Sequence, residues 1–469
     1  MADTRLAVPL NGKMALRTFH TASFRDELAN NGLRPLYVLN PIYIEALQLS
    51  PDTYFELKID EYQKYYRAHP FQEALKTLRR FIVRTETTDL RFRETIEQKL
   101  FKKPIYSIIW YSLYTDILRR LPLGNLFRWI ETQFFQTHAH DDFLKKQNVD
   151  CVLTPGLGNA FFWYEGSFAR EARQLGIPVF GAITNYDNLV NMGYRGYDPV
   201  CLAVWSRQMA DEAVKLHKIP ARKIEITGPM QYDRFLKTLP QNREQFLGSI
   251  GLDPKLKTIL FAGSSNIGHY YEIYRVLVEL KDKVWDEPFN LVVRPHPHVS
   301  KLLGTPIWHG TEKLFRQAGV YISIAGHVES TVDRVEEFKE DFSFDEGPDE
   351  LTCLLHYSDL MINVFSTVSL EAAICDLPVV HLAFDTYTYG IRYANTTAFQ
   401  QRQTHNRRPL RLAASRVAKN EEELIAYIRR YLENPDLEKE ERRVYAISEC
   451  GELDGKASVR VVDMIKSRV

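Results

Sequence analysis

An excess of either charge is the first thing this chain lacks. Its 60 Lys and Arg balance 60 Asp and Glu, so the formal net charge is zero. A protein that coats nucleic acid carries a basic surplus, so nucleic acid is not expected as a partner, although local basic patches remain open. Paired cysteines are missing as well. The five cysteines (Cys151, Cys201, Cys353, Cys375 and Cys450) contain no CxxC and are odd in number. That argues against a disulfide framework and against structural zinc. Cys151 and Cys375 sit among apolar neighbours and read as small core residues. Long apolar runs are absent too. The opening MADTRLAVPLNGK lacks the apolar core of a signal peptide, and the best candidate span, IYSIIWYSLY at 105–114, is too short to cross a bilayer. A cytoplasmic location is the resulting expectation. There is no GxxxxGK[ST], HExxH, GxSxG, kinase signature or dinucleotide fingerprint, which argues against an ATPase or a dehydrogenase.

What is present is an alternation. The 469 residues suffice for two or three domains. In the first half, apolar β-rich runs at 5–10, 35–39, 150–154, 178–183, 199–204 and 223–227 alternate with helical patterns at 18–31, 167–175 and 208–216. A polar segment, 228–257, reads as a connection. A second series follows, with strands expected at 258–262, 290–293, 320–324, 359–364 and 378–382. Strand–helix alternation of this kind implies α/β domains with parallel, doubly wound sheets. The expected domains are 1–230 and 231–469. A mostly helical, aromatic and basic insert at 41–149 interrupts the first. Within it, 101–135 mixes apolar clusters with Lys102, Lys103, Arg119, Arg120 and Arg128. That composition suits a buried helical layer with a basic edge, or an interfacial surface touching a membrane.

Doubly wound sheets bind ligands at the carboxyl ends of their strands, where the topology reverses. Several groups stand there. The run LVVRPHPHV at 291–299 is an apolar strand ending in Arg294, Pro295, His296, Pro297 and His298. The prolines stiffen the backbone, Arg294 offers a planar fork suited to phosphate, and His296 can donate a proton near neutral pH. The run at 359–382 is a strand leading into Ser366 and Thr367 at the start of a helix that carries Glu371. Backbone N–H groups and hydroxyls at a helix start favour an anion, and Glu371 could accept from ribose hydroxyls; the plain alternative is ordinary helix capping. A third strand feeds Gly263, Ser264 and Ser265, small residues that allow close approach of a phosphate. In the first half, Asp187, Asn188 and Glu165 follow strand ends. Asp187 or Glu165 could serve as a general base toward an acceptor hydroxyl, against a plain role in turns. Asp345-Glu346-Gly347 reads as a turn before a helix at Asp349. The basic stretch 402–416 reads equally as an anion contact or as a solvated loop.

Arg294-Pro295-His296-Pro297, with Ser366-Thr367 and Glu371-Ala372 before Pro378, resembles the C-terminal half of GT-B transferases. The resemblance is to CDP-glycerol glycerophosphotransferases and bacterial capsule-polysaccharide transferases. It extends over about 150–385 through Asn185-Tyr186-Asp187-Asn188, Val204-Trp205, His217-Lys218-Ile219-Pro220 and Thr227-Gly228-Pro229. More distantly, the His-Pro and Ser-Thr pairs resemble CMP-sugar sialyl- and Kdo-transferases. In those an acidic first-domain motif supplies the base, whereas Asp345-Glu346-Gly347 lies in the second half, so that role is not carried to Asp345.

The resemblance implies two Rossmann-like domains facing a cleft. It also implies contact of His296, Ser366 and Thr367 with the donor phosphate, and of Glu371 with a sugar hydroxyl. The expected activity is metal-independent transfer of a sugar or polyol phosphate in surface polysaccharide synthesis. The donor would be a nucleotide sugar or CDP-polyol of the CMP, CDP or UDP type, and the acceptor a glycan or lipid-linked molecule. No cofactor is expected. Peripheral membrane contact through 101–135, at the inner membrane face, completes the reading. Two other functions fit the same residues: a non-hydrolysing sugar-nucleotide 2-epimerase, and a catalytically silent nucleotide-binding subunit of a polysaccharide assembly.

Overall fold

The computed structural model describes residues 4–10, 13–39, 44, 54–56, 70–92, 121–135, 137–159, 163–263, 270–281, 287–296, 306–324, 349–384 and 396–469. Within them lie two parallel sheets. The first contains β1 (Thr4–Leu10), β2 (Leu33–Leu39), β3 (Tyr54–Glu56), β4 (Cys151–Pro155), β5 (Val179–Ala182), β6 (Leu202–Val204) and β7 (Ile224–Ile226), in the order β3-β2-β1-β4-β5-β6-β7. The second contains β8 (Lys257–Ala262), β9 (Phe289–Arg294), β10 (Tyr321–Ile322), β11 (Leu360–Asn363), β12 (Val379–Leu382) and β13 (Arg416–Ala418), in the order β10-β9-β8-β11-β12-β13. In each, the chain builds outward from one strand, returns, and builds the other way. The reversal falls between β1 and β4 in the first sheet and between β8 and β11 in the second. These are the two points where a doubly wound sheet opens a ligand crevice.

The strands are apolar on both faces because helices cover both faces. Leu6, Val8 and Leu10 of β1 pack on one side with Phe24 and Leu28, while Ala7 packs on the other with Val152 and Phe168. The second sheet buries Ile259, Phe261, Leu291, Val293, Leu360 and Ile362 in a single cluster with Leu424 and Ile428.

Compact units follow contacts rather than a single cut in the chain. One unit contains the described residues up to Asp233 together with Glu449–Val469, and the other begins at Arg234 and runs to Ser448. The expected second domain, 231–469, therefore parts with its last residues. The reason is apolar: Ala457, Val461, Val462, Met464 and Ile465 of helix Ala457–Lys466 belong to the core under β1 and β2. Asp233 also accepts hydrogen bonds from the Ala457 and Ser458 backbone, at 3.4 and 3.3 Å.

Other departures are local. The helix expected at 18–31 is two, Lys13–Phe19 and Ala22–Asn30, because Thr21 breaks the chain and caps the second by accepting from Phe24 N at 3.3 Å. The connection 228–257 holds a 3-10 turn, Met230–Leu236, and helix Arg243–Ser249 closed by an Asn242–Gln245 capping box. The insert is not helical throughout, since β3 extends the first sheet in register with β2, Tyr37 opposite Tyr54. The basic stretch 402–416 is not a solvated loop: it forms helix Arg407–Arg411 and buries Gln403, His405, Asn406 and Arg408. Cys151 is fully buried as expected, whereas Cys375 is only half-buried.

The insert is tied to the first sheet by charge. Arg79, on helix Pro70–Phe81, is buried and meets Glu131 of helix Gly124–Phe134 at 3.2 Å. Its Nη1 donates to the carbonyls of Gly158 (3.0 Å) and Tyr194 (2.8 Å), and Arg170 lies 3.8 Å from the same glutamate. Gly158 needs to be glycine. Its φ is +61°, and a Cβ there would lie 2.4 Å from Gly166 Cα.

Candidate functional site

In the second unit three strand ends converge. β8 is the central strand, with Ala262 in register with Arg294 of β9 on one side and Asn363 of β11 on the other. Gly263 N continues that pairing by donating to the Arg294 carbonyl at 2.9 Å. Gly263, Arg294, Pro295 and His296 therefore share one carboxyl edge with Asn363, Phe365, Ser366 and Thr367, across the topological reversal. Ser264 and Ser265 lie outside the described residues, as do His298 and Asp345–Gly347.

The β11 end is organised by Asn363, a fully buried side chain. Its Nδ2 donates to the Ala262 carbonyl at 2.8 Å, and its Oδ1 accepts from Ser366 N (2.9 Å) and Ser369 Oγ (3.0 Å). Sequence reasoning passed over this residue. The available signal was an Asn closing an otherwise apolar strand immediately before Ser-Thr. Phe365 follows with φ +47°, in the left-handed region. Thr367 takes the N-cap position of helix Val368–Ile374, but with helical dihedrals and no side-chain capping bond. The capping explanation for the Ser-Thr pair is thus not realised: the Asn363 carboxamide, not a hydroxyl, takes the Ser366 N–H. Glu371 sits in the first turn of the same helix and is half-buried.

On the other flank, Arg294 is already engaged. Its Nη1 donates to Ser323 Oγ at 2.5 Å and lies 3.3 Å from a Glu350 carboxylate oxygen. Ser323 Oγ (2.8 Å) and Tyr321 OH (2.7 Å) donate to the same carboxylate. Burial and the Glu350 charge hold the Tyr321 phenol neutral by raising its pKa. Glu350 opens helix Glu350–Tyr357, whose N-cap is Asp349, as the expected helix start at that residue implied. Burial works to raise the Asp349 pKa, but Arg234 at 3.1 Å and hydrogen bonds from Thr352 hold it below the ordinary value. His296 is half-buried, one residue beyond the buried Pro295.

The first-unit candidates have closed surroundings. Asp187 is 8% exposed; its Oδ2 accepts from Asn191 Nδ2 at 2.9 Å, and its Oδ1 is buried without a donor. Asn191 in turn accepts from Arg91 Nε of the insert at 3.0 Å. Asn188 Oδ1 accepts from Thr184 N, Thr184 Oγ1 and Asn185 N, at 3.2, 3.1 and 2.8 Å, which is turn-forming chemistry. Glu165 is 3% exposed in the first turn of helix Trp163–Gln174, near enough to Tyr197 for its charge to help raise that phenol, after burial. Tyr197 hydrogen-bonds Thr154 at the end of β4. The two acids therefore serve different neighbourhoods, Glu165 beside β4 and Asp187 beyond β5.

The family model of the CDP-glycerol:poly(glycerophosphate) glycerophosphotransferases matches residues 188–467, more than half of the chain. The chain belongs to that family. It is a GT-B transferase, and its two parallel, doubly wound sheets fit that fold. Among solved structures it is similar in fold to an S. aureus MnaA–UDP co-structure, with TM-score 0.52 and 12% identity over 99% of this chain and 96% of that one. A UDP-GlcNAc 2-epimerase from Neisseria meningitidis bound to UDP-GlcNAc gives TM-score 0.52 and 13% identity over 99% and 100%. A UDP-N-acetylglucosamine 2-epimerase gives 0.51 and 14% over 99% and 96%. Comparison with curated proteins returns no match. The family membership concerns the transferases, whereas the epimerase likenesses concern the fold.

Proposed function

We propose that the chain transfers a polyol phosphate or a sugar from a nucleotide-activated donor to a glycan or lipid-linked acceptor of a surface polysaccharide. The observation that carries this reading is the shared carboxyl edge of β8, β9 and β11, with the Ser366 and Thr367 hydroxyls not used as helix caps. The donor phosphate would rest against Ser366 and Thr367. Arg294 would face it from β9, held in place by Glu350 and Ser323. His296 would donate a hydrogen bond or proton to the leaving phosphate, and Glu371 would accept from a hydroxyl of the donor. Fixed charges and donors of this kind stabilise a leaving group without reorganising. Family membership favours CDP-glycerol as donor. Neutralisation by these side chains is taken to suffice without a metal or cofactor.

Asp187 and Glu165 remain the proposed bases. Asp187 is favoured because one carboxylate oxygen is oriented by Asn191 while the other meets no donor. Its burial requires the surrounding loop to open for an acceptor hydroxyl to reach it.

Peripheral membrane contact is proposed for 101–135, of which 101–120, with Lys102, Lys103, Arg119 and Arg120, lie outside the described residues. Leu126, Trp129 and Phe134 of helix Gly124–Phe134 are exposed, Trp129 at 54% and Phe134 at 69%, beside exposed Leu121 and Phe71. Apolar side chains with Trp on an amphipathic helix suit the interfacial zone of a bilayer. Among the described residues no helix is long and apolar enough to cross one. Sedimentation with anionic vesicles checks this, and unchanged partition of Trp129→Ser/Phe134→Ser would overturn it.

The decisive experiment for the function incubates the protein with CDP-glycerol and poly(glycerophosphate) and follows CMP release and chain growth. Parallel incubation with UDP-GlcNAc and no acceptor tests for epimerisation. Tight nucleotide binding with neither reaction would instead fit a silent subunit.

A further inference from the structure

The turn that presents Ser366 and Thr367 is held in a conformation that its own sequence disfavours. Phe365 is a large residue with φ +47°, where a Cβ crowds the following carbonyl. Such outliers persist only when their surroundings over-determine them, and they gather at functional sites. Here two contacts do so. Asn363 binds Ser366 N on the far side of the turn, at 2.9 Å. On the near side, the Phe365 ring lies flat on the imidazole of His381, with centroids 4.4 Å apart and planes 10° from parallel.

His381 is on β12, in register with Asn363 of β11, so the sheet itself places the imidazole beneath the turn. Both rings are buried. His381 Nε2 lies 3.1 Å from Ser415 Oγ on the side of the ring edge.

We propose that His381 is a positioning residue for donor binding: its flat face supports the left-handed turn at Phe365, and the turn aims Ser366 and Thr367 at the donor phosphate. This rests on the donor-site reading above. It assigns His381 no proton to move and no contact with the donor. What the position requires is a flat ring stacked under Phe365.

Isothermal titration of the full-length protein with CDP, and separately with UDP, tests this together with thermal melts. His381→Phe keeps the flat face and loses the Ser415 contact, so it should bind within about twofold of wild type. His381→Asn keeps a polar group and loses the face, so it should bind about tenfold more weakly, the scale of one lost aromatic stack. Phe365→Leu removes the opposite ring and should show the same loss; it also serves if His381→Asn does not fold. A purely structural histidine would lower the melting temperature in these variants and leave nucleotide affinity unchanged, which would overturn the proposal. Ser366→Ala separates the two levels. If wild type binds neither nucleotide, or Ser366→Ala binds as wild type does, the donor-site reading fails and this inference with it. If Ser366→Ala is weakened while His381→Asn and Phe365→Leu are not, only the positioning role fails.

Discussion

Replacing Asn363 by Leu removes three hydrogen bonds from the interior without creating a cavity. The lost partners are the Ala262 carbonyl at 2.8 Å, Ser366 N at 2.9 Å and Ser369 Oγ at 3.0 Å. Ala262 and Ser369 are buried, so water does not readily replace what is lost. The two buried partners left unsatisfied cost about 1–3 kcal/mol each and the third bond contributes about 1 kcal/mol, so the loss is about 3–7 kcal/mol. Urea unfolding of wild type and Asn363→Leu measures it, and CDP titration of the folded variant should show weakened binding because Ser366 loses its anchor. Asn363→Asp sharpens the argument. One carboxyl oxygen can still accept from Ser366 and Ser369, but the other faces the Ala262 carbonyl and must carry a proton to donate. The folded state then raises this carboxyl's pKa above its unfolded value. The compensating stability is present below the unfolded pKa and is lost as pH rises through the folded one. The stability gap between Asn363→Asp and wild type should therefore widen from about pH 4 to about pH 8. A loss under about 1 kcal/mol in Asn363→Leu, or a gap independent of pH, refutes the reasoning.

His296→Asn should leave the fold intact and lower turnover with the correct donor and acceptor by about 10²–10⁴, the range for a positioned acid–base group; near-normal turnover would return His296 to a structural role. Turnover should survive EDTA, and its loss with restoration by magnesium or manganese would show that the side chains named here do not neutralise the leaving phosphate alone. Arg79→Met should cost about 3–5 kcal/mol, as read by chemical denaturation, because buried Glu131 keeps only Arg170 at 3.8 Å and the Gly158 and Tyr194 carbonyls lose their donor. His217 is fully buried with its pKa lowered to about 4, chiefly by burial. The unfolded chain therefore takes up a proton between pH 6.5 and 4 that the native one refuses, and stability should fall across that window by on the order of 3 kcal/mol. His217→Gln, still able to donate to the Leu189 carbonyl that now receives Nε2 at 2.8 Å, should show a shallower decline.

The two sheets were legible in the sequence because a parallel strand buried on both faces is largely apolar along its length, and runs such as TRLAVPL, KTILFA and LMIN alternate with helical patterns. Short edge elements were not legible. β3 (YFE) and β13 (RVA) carry no pattern of their own and become strands only because β2 and β12 offer them unpaired edges. Arg294, His296, Ser366 and Thr367 could be picked out because Pro, Arg, His, Ser and Thr directly after apolar strands have few structural reasons to be there. That they share one edge depends on strand order. β9 and β11 are far apart in sequence and become near neighbours only because β8 lies between them.

What surrounds those residues was decided by tertiary contact alone. Nothing local to Glu350 announces that it will hold Arg294, and His381 in VVHL reads as an ordinary strand residue until β12 places its ring under Phe365. The same holds for the chain's last helix. Its apolar face is evident in ASVRVVDMIK, but a face does not name its partner. Only the packed structure assigns it to the core under β1 and β2, because burial rewards apolar area wherever the fold supplies a matching surface, regardless of distance along the chain.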